Sequence, residues 1–190
     1  MKKRIAIFIS GRGSNMEAII GQTRNGILRN SCEIILVFSN DPQAKGLETA
    51  RRAGIETAAI PSRGKPRAAF DREVLELLRP YELDYIVLAG YMRLLSPEFV
   101  HAWEKRIINI HPADTRAFQG VGGYAWAFEQ GLEKTRVTVH YIDEGMDTGE
   151  IIEQRELDLR DLKTLEAVER RGLALEHAMY SEVLKKIFET

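Results

Sequence analysis

Apolar positions along this chain fall into two periods. Short, nearly continuous runs of β-branched and aromatic residues occupy Arg4–Ile9, Glu33–Ser39, Glu56–Ile60, Asp84–Ala89 and Ile107–Ile110. Runs of this length and continuity predict strands covered on both faces, as in a parallel sheet. Helical spacing fills the gaps between them. Met16–Ile20 follows the first strand. Lys45–Ala53 follows the second, after a turn at Asn40-Asp41-Pro42, and Gly54 stands where a helix stops. Arg67–Arg79 places Phe70, Val74, Leu77 and Leu78 on one face, with Pro80 just beyond. Ser96-Pro97 opens another helix, with proline at its first position. Val100 and Trp103 belong to the core of that helix, and His101 is solvated. This alternation predicts an α/β fold, a Rossmann-like, mostly parallel sheet flanked by helices.

The second half is richer in strands. A polar, glycine-rich loop at Ala113–Gly123 leads to a helix at Tyr124–Gln130, closed by Gly131. Strands follow at Arg136–Ile142, which carries His140, and at Glu150–Leu157. The acidic, glycine-bounded segment Asp143–Gly149 joins them. From Thr164 on, Leu165, Val168, Leu175, Met179, Val183 and Ile187 form one stripe of a long C-terminal helix, which also holds Glu176 and His177.

Composition narrows the possibilities. A chain of 190 residues, 44% hydrophobic, is expected to form a single domain over 1–190 with a sizeable core. A net charge of −1 supplies no basic field for nucleic acid. The apolar run Ile5–Ile9 is too short for a signal peptide or a membrane span. With Cys32 as the only cysteine, no disulfide framework exists and a reducing compartment is expected. The expectation is a cytoplasmic protein, monomer or homodimer, acting on small molecules, with no nucleic-acid or membrane partner. The four histidines are dispersed without ligand spacing, so no metal site is expected.

Three stretches carry candidate chemistry. Ser10-Gly-Arg-Gly-Ser-Asn15 joins a strand to a helix, and Ser14 and Glu17 have capping-box spacing. Glycines let a ligand approach the backbone, and a helix N-terminus favours a phosphate. The alternative is a plain tight connection. Neither the P-loop lysine nor the three-glycine dinucleotide pattern is present, which favours a monophosphate over ATP or NAD. In Ile107–Pro112, period-2 alternation puts Asn109 and His111 on one side of a strand end. An amide beside an imidazole suits the oxyanion formed when a carbonyl is attacked. The alternative has Asn109 capping a turn and His111 packed against it. Asp147 could hold an imidazolium at His111 or move protons through water. Its alternative is an exposed acidic turn shared with Asp143 and Glu144.

Taken together, Ser10–Asn15, Ala89-Gly-Tyr-Met-Arg93, Asn109-Ile-His-Pro112 and Met146-Asp-Thr-Gly149 resemble the phosphoribosylglycinamide formyltransferases, folate-dependent enzymes of purine synthesis. The resemblance runs from Arg4 to about Phe188. It implies the formyltransferase fold, with 10-formyltetrahydrofolate as co-substrate and a ribonucleotide amine as acceptor. Asn109, His111 and Asp147 would be the catalytic set, with protonated His111 and Asn109 on the oxyanion. Asp147 would raise the pKa of His111 and help pass the proton to the leaving folate nitrogen. Gly11, Arg12, Gly13, Ser14 and Asn15 would hold the ribonucleotide's phosphate end, and Glu176 its ribose hydroxyls. Met92, Arg93, Leu94 and Leu95, with Asn109, would meet the folate. Arg67 resembles a folate-side arginine, with a solvated helix start as its alternative.

One segment departs from the family pattern. After His111 the family usually continues Ser-Leu-Leu-Pro, then an aromatic, Pro-Gly, and later a histidine. Here the chain reads Pro112-Ala-Asp-Thr-Arg-Ala-Phe-Gln-Gly120, and Gly122 replaces that histidine. The segment flanks the acceptor, so formyl transfer to another phosphorylated amine, or hydrolysis of formyltetrahydrofolate, stands as an alternative. Transfer to methionyl-tRNA usually needs a further C-terminal domain, and the hydrolase an extra N-terminal one. A non-catalytic phosphate-binding domain would not need Asn109, His111 and Asp147 together.

Overall fold

The computed structural model describes residues 1–190. In chain order the elements are β1 (Lys3–Ile9), α1 (Ser14–Asn25), β2 (Cys32–Ser39), α2 (Lys45–Arg52), β3 (Glu56–Ala59), α3 (Arg67–Leu78) and β4 (Tyr85–Leu88). Then come α4 (Pro97–Ala102), β5 (Ile107–His111), α5 (Gly123–Glu129), β6 (Lys134–Tyr141), β7 (Ile151–Asp158) and α6 (Leu165–Phe188). The strands form one seven-stranded sheet in the order β3-β2-β1-β4-β5-β6-β7. The first five strands pair in parallel, β6 adds antiparallel to β5, and β7 adds antiparallel to β6.

Strand alternation divides the core. Ile5, Ile7 and Ile9 of β1 face the layer of α1 and α6, while Ala6 and Phe8 face the layer of α3 and α4. The same parity runs across β5. Ile108 and Ile110 point to the α6 layer, and Ile107 to the α3–α4 layer. Asn109 and His111 share the face of Ile107, as the alternation required. β1 lies between β2 and β4, the point where strand order reverses. In open α/β sheets the ligand crevice lies outside the carboxyl ends of the strands at such a point.

Most helix boundaries follow the sequence signals. Ser96 caps α4, its side chain accepting from Phe99 N, and Thr164 caps α6 by accepting from Ala167 N. Gly54 (φ 73°) and Gly131 (φ 62°) follow α2 and α5 in the left-handed conformation. The next residues, Ile55 and Leu132, bond back to Ala50 O and Ala127 O, which completes a Schellman close in each case. Arg79 and Pro80 leave α3 and form a 3-10 turn with Tyr81. The capping box expected at Ser14 and Glu17 does not form. Gly13 is the N-cap of α1 at φ 74°, and Ser14 lies inside the first turn without a side-chain cap. The glycine turns the chain so sharply that the serine comes one position too late to cap.

The C-terminal helix packs with the expected face, widened to one side by residues the apolar stripe did not include. Its buried positions include Val168, Gly172, Glu176, Met179, Tyr180, Val183, Leu184 and Phe188, while Leu165, Leu175 and Ile187 lie at the margins. Tyr180 is wholly buried, and its hydroxyl lies 2.9 Å from both Leu88 O and Ile108 O. That hydroxyl ties α6 to the last residue of β4 and to the first half of β5, the two strands that deliver the site.

Candidate active site

The carboxyl ends of β4 and β5 open into a cavity of about 210 Å³. One wall is the segment after β4, with Gly90, Tyr91, Met92, Arg93, Leu94 and Leu95. The other carries Asn109 and His111, the loop glycines Gly120 and Gly122, and Asp147. Met92, at 63% exposure, Leu94, Val121 and Met146 are exposed apolar side chains at its rim. A largely apolar slot with a few convergent polar groups suits a flat heteroaromatic ligand.

Asp147 gathers the polar groups. It reaches them from a left-handed conformation (φ 54°), which aspartate tolerates better than most residues. Its Oδ2 accepts from Gly120 N at 2.9 Å and lies 3.4 Å from His111 Nδ1. Its Oδ1 lies 3.5 Å from Asn109 Nδ2 and 3.6 Å from His140 Nε2. Asp147 is therefore not part of an exposed acidic turn. Only Asp143 and Glu144 are exposed, and Glu144 pairs at the surface with His101 of α4. Burial pushes the Asp147 carboxyl up, but the approach of His140, the Gly120 N–H and the His111 ring outweigh it. The carboxyl is held below its usual range.

His111 is nearly enclosed, at 4% exposure. Its Nε2 lies 3.1 Å from Phe118 O. A carbonyl only accepts, so Nε2 carries a proton and Nδ1 faces Asp147. Burial lowers the His111 pKa, and Asp147 and the Phe118 carbonyl raise it by less. The net shift is downward, against the expectation of a protonated ring in the free enzyme. Asp147 acts in the expected direction, but desolvation of the ring is larger. The Phe118 ring stacks on the Trp126 ring at 5.0 Å between centroids, and its plane lies within 16° of the imidazole.

Sequence reading missed His140. It is fully buried, pairs across the β5–β6 ladder with Asn109, and places Nε2 3.2 Å from Asn109 Nδ2. Its Nδ1 donates to Tyr141 O at 2.9 Å. The available signal was parity: Val137 and Val139 take the core face, which leaves His140 on the face of Asn109 once β6 pairs with β5.

The phosphate-loop candidates lie next to this cavity, outside its walls. Gly11 and Arg12 are exposed, and Gly11 O accepts from Gly46 N at 3.0 Å. The Asn15 side chain turns inward, where Nδ2 donates to Glu176 Oε2 at 2.6 Å. Tyr124, also absent from the sequence reading, donates to Glu176 Oε1 at 2.6 Å. Tyr124 reaches that carboxylate because Gly172, one turn before Glu176, leaves room; a Cβ there would lie 2.2 Å from its ring. The two neighbourhoods are joined at Ser10, whose Oγ accepts from Met92 N at 2.7 Å and donates to Asn40 Oδ1. Arg67 stands exposed at the first residue of α3, outside the cavity wall.

The atypical loop has its own supports. Asp114, unassigned from sequence, pairs with Arg136 at 3.0 Å and accepts from Gln154 at 3.0 Å, which pins the loop to β6 and β7. Gly122 is the N-cap of α5 at φ 89°, where a histidine would be strained. At Gly123 a Cβ would lie 2.4 Å from Pro112 O. No three His, Cys, Asp or Glu side chains converge as metal ligands would, and no helix is long and apolar enough to cross a membrane.

Comparison with known proteins agrees with this geometry. Residues 3–184 match the formyl transferase family. The chain is 41% identical to phosphoribosylglycinamide formyltransferase of Bacillus subtilis (strain 168), over 97% of this chain and 94% of that protein. It is 36% identical to the trifunctional purine biosynthetic protein adenosine-3 of Bos taurus, over 98% of this chain but only 18% of that larger protein. The crystal structure of phosphoribosylglycinamide formyltransferase from Bacillus halodurans superimposes with a TM-score of 0.92 at 40% identity, covering 97% of this chain and 95% of that one. With its sheet order, its polar cluster at the end of β5 and these relatives, the chain belongs to the phosphoribosylglycinamide formyltransferase family of formyl-transferring enzymes.

Proposed function

We propose that residues 1–190 act as one formyltransferase domain that moves the formyl group of 10-formyltetrahydrofolate to the amine of glycinamide ribonucleotide. The observation that carries this reading is the convergence of Asn109, His111 and Asp147 on one cavity with an apolar opposite wall. The pterin lies along Met92–Leu95, where backbone groups and apolar side chains meet it. The phosphate sits at the start of α1, whose first N–H groups have no intrahelical partner. Glu176 still has free lone pairs on both carboxylate oxygens to accept from ribose hydroxyls.

The glycyl nitrogen attacks the formyl carbon, and a C–N bond forms as the carbonyl becomes an oxyanion. Asn109 Nδ2 and the Nε2–H of His111 donate to that oxygen, His111 leaving the Phe118 carbonyl to do so. As negative charge grows on that oxygen, the Nε2–H bond to it strengthens, and the Asp147 carboxylate facing Nδ1 stabilises any positive charge the ring takes on while the amine's proton is in transit. The C–N10 bond then breaks, and the proton lost by the amine passes to N10 through water held at Asp147. Starting from a neutral ring keeps the interaction weak in the ground state and strong in the transition state, which is what accelerates a reaction.

The test compares the release of deformylated folate with glycinamide ribonucleotide, with other phosphorylated primary amines, and with water alone. Release that requires the ribonucleotide is expected. Equal release with water alone would make the chain a hydrolase, and preference for another amine would assign the Ala113–Gly123 loop to a different acceptor.

A further inference from the structure

One buried carboxylate has no part in this mechanism. Asp71, in α3, is 1% exposed. Burying a carboxylate is costly unless it is paired, so its surroundings matter. Its Oδ2 accepts from Ser96 N, the backbone donor that ends the Gly90–Leu95 wall and begins α4. The preceding residue, Phe70, carries the Arg93 guanidinium over its ring, 4.6 Å from the centroid. Asp71 Oδ1, Tyr91 Oη and Arg93 Nε are all buried, and each lacks a hydrogen-bond partner within the chain. One acceptor and two donors of matching character thus stand on the two segments that meet here. Burial raises the Asp71 carboxyl, and hydrogen bonding from Ser96, followed by the positive charges of Arg93 and Arg67, draws it back. The charge of Asp71 acts in turn on the Tyr91 phenol.

We propose that Asp71 is a positioning residue for the folate: it holds the Gly90–Leu95 wall in its binding shape by accepting from Ser96 N–H, with its charge acting on Arg93 through space, without touching either substrate. The wall is pinned at its other end by Ser10 on Met92 N. Tyr91 and Leu95 anchor the segment in the core, while Met92 and Leu94 project at the cavity rim. The inference rests on the folate reading of this cavity and adds a device from behind the wall.

The test is steady-state kinetics of Asp71→Asn, which keeps the shape and removes the charge. The KM for 10-formyltetrahydrofolate is expected to rise about tenfold, with kcat and the ribonucleotide KM within about twofold of wild type. An unchanged folate KM, or an equal rise in both KM values, would overturn the proposal. If Asp71→Asn fails to fold, Asp71→Ser decides: a rise confined to the folate KM supports it, and any other pattern overturns it. Equilibrium binding of tetrahydrofolate separates this inference from the function. Wild type that binds no tetrahydrofolate refutes the folate reading itself. Wild type and Asp71→Asn binding it equally refute only the role of Asp71.

Discussion

Asp147 and His111 show how a catalytic pair can hold a charge back until it is needed. The imidazole is buried, so its positive form is penalised, and the one carboxylate beside it only partly offsets that cost. The His111 ring in the free enzyme is therefore expected to titrate below 6.5, read by NMR of the ring resonances. Asp147→Asn should move it lower still, because the charge that raised it is lost. A rise would contradict the electrostatic account. The consequence for stability has a definite sign. Between the folded pKa and 6.5 the unfolded chain binds more protons at this residue than the folded one. Stability from neutral His111 is thus present above 6.5 and is lost as pH falls through that window. Asp147 has the usual carboxylate sign: its contribution is present above 3.8 and fades as pH falls toward its lower folded value.

The elements bring these groups together through few contacts. β5 supplies Asn109 and His111 from one face, β6 supplies His140 opposite Asn109, and α6 holds both β4 and β5 through Tyr180. Removing that hydroxyl leaves two buried carbonyls without it. Tyr180→Phe is expected to cost roughly 1–3 kcal/mol. The melting temperature should fall by about 2–4 °C for each kcal/mol in a chain of this size. Thermal unfolding followed by circular dichroism measures it, and an unchanged midpoint would mean the clamp carries no weight. The loop before α5 works differently. It is anchored by Asp114 on Arg136 and Gln154, and Gly120 presents its N–H to Asp147. A segment that departs from its relatives in sequence still delivers a backbone donor and a backbone acceptor to the catalytic pair.

Across the molecule, what could be read from sequence was what depends on local order. Buried parallel strands announce themselves as apolar runs, because both faces are covered, and the five runs became β1 to β5. The pairing of Asn109 with His111 followed from parity within one strand. Features that depend on distant partners were not legible. His140 meets Asn109 only through an antiparallel register 31 residues away. Tyr124 and Glu176 meet across 52 residues, and only because Gly172 clears a path. The full breadth of the buried face of α6 was missed for the same reason: Gly172, Glu176 and Tyr180 do not look apolar, yet each is inside. The His111 pKa was misjudged because sequence shows a neighbouring charge but not the depth of burial.

The central claim is that Asn109, His111 and Asp147 act on the formyl oxyanion, and turnover of Asp147→Asn at saturating 10-formyltetrahydrofolate and ribonucleotide tests it most directly. The substitution keeps the size of the side chain and removes the charge that faces His111 Nδ1. A fall in kcat of about 100-fold or more, with a melting temperature close to wild type, is the expected result. A variant that turns over like wild type would contradict the account and move the chemistry away from this cluster.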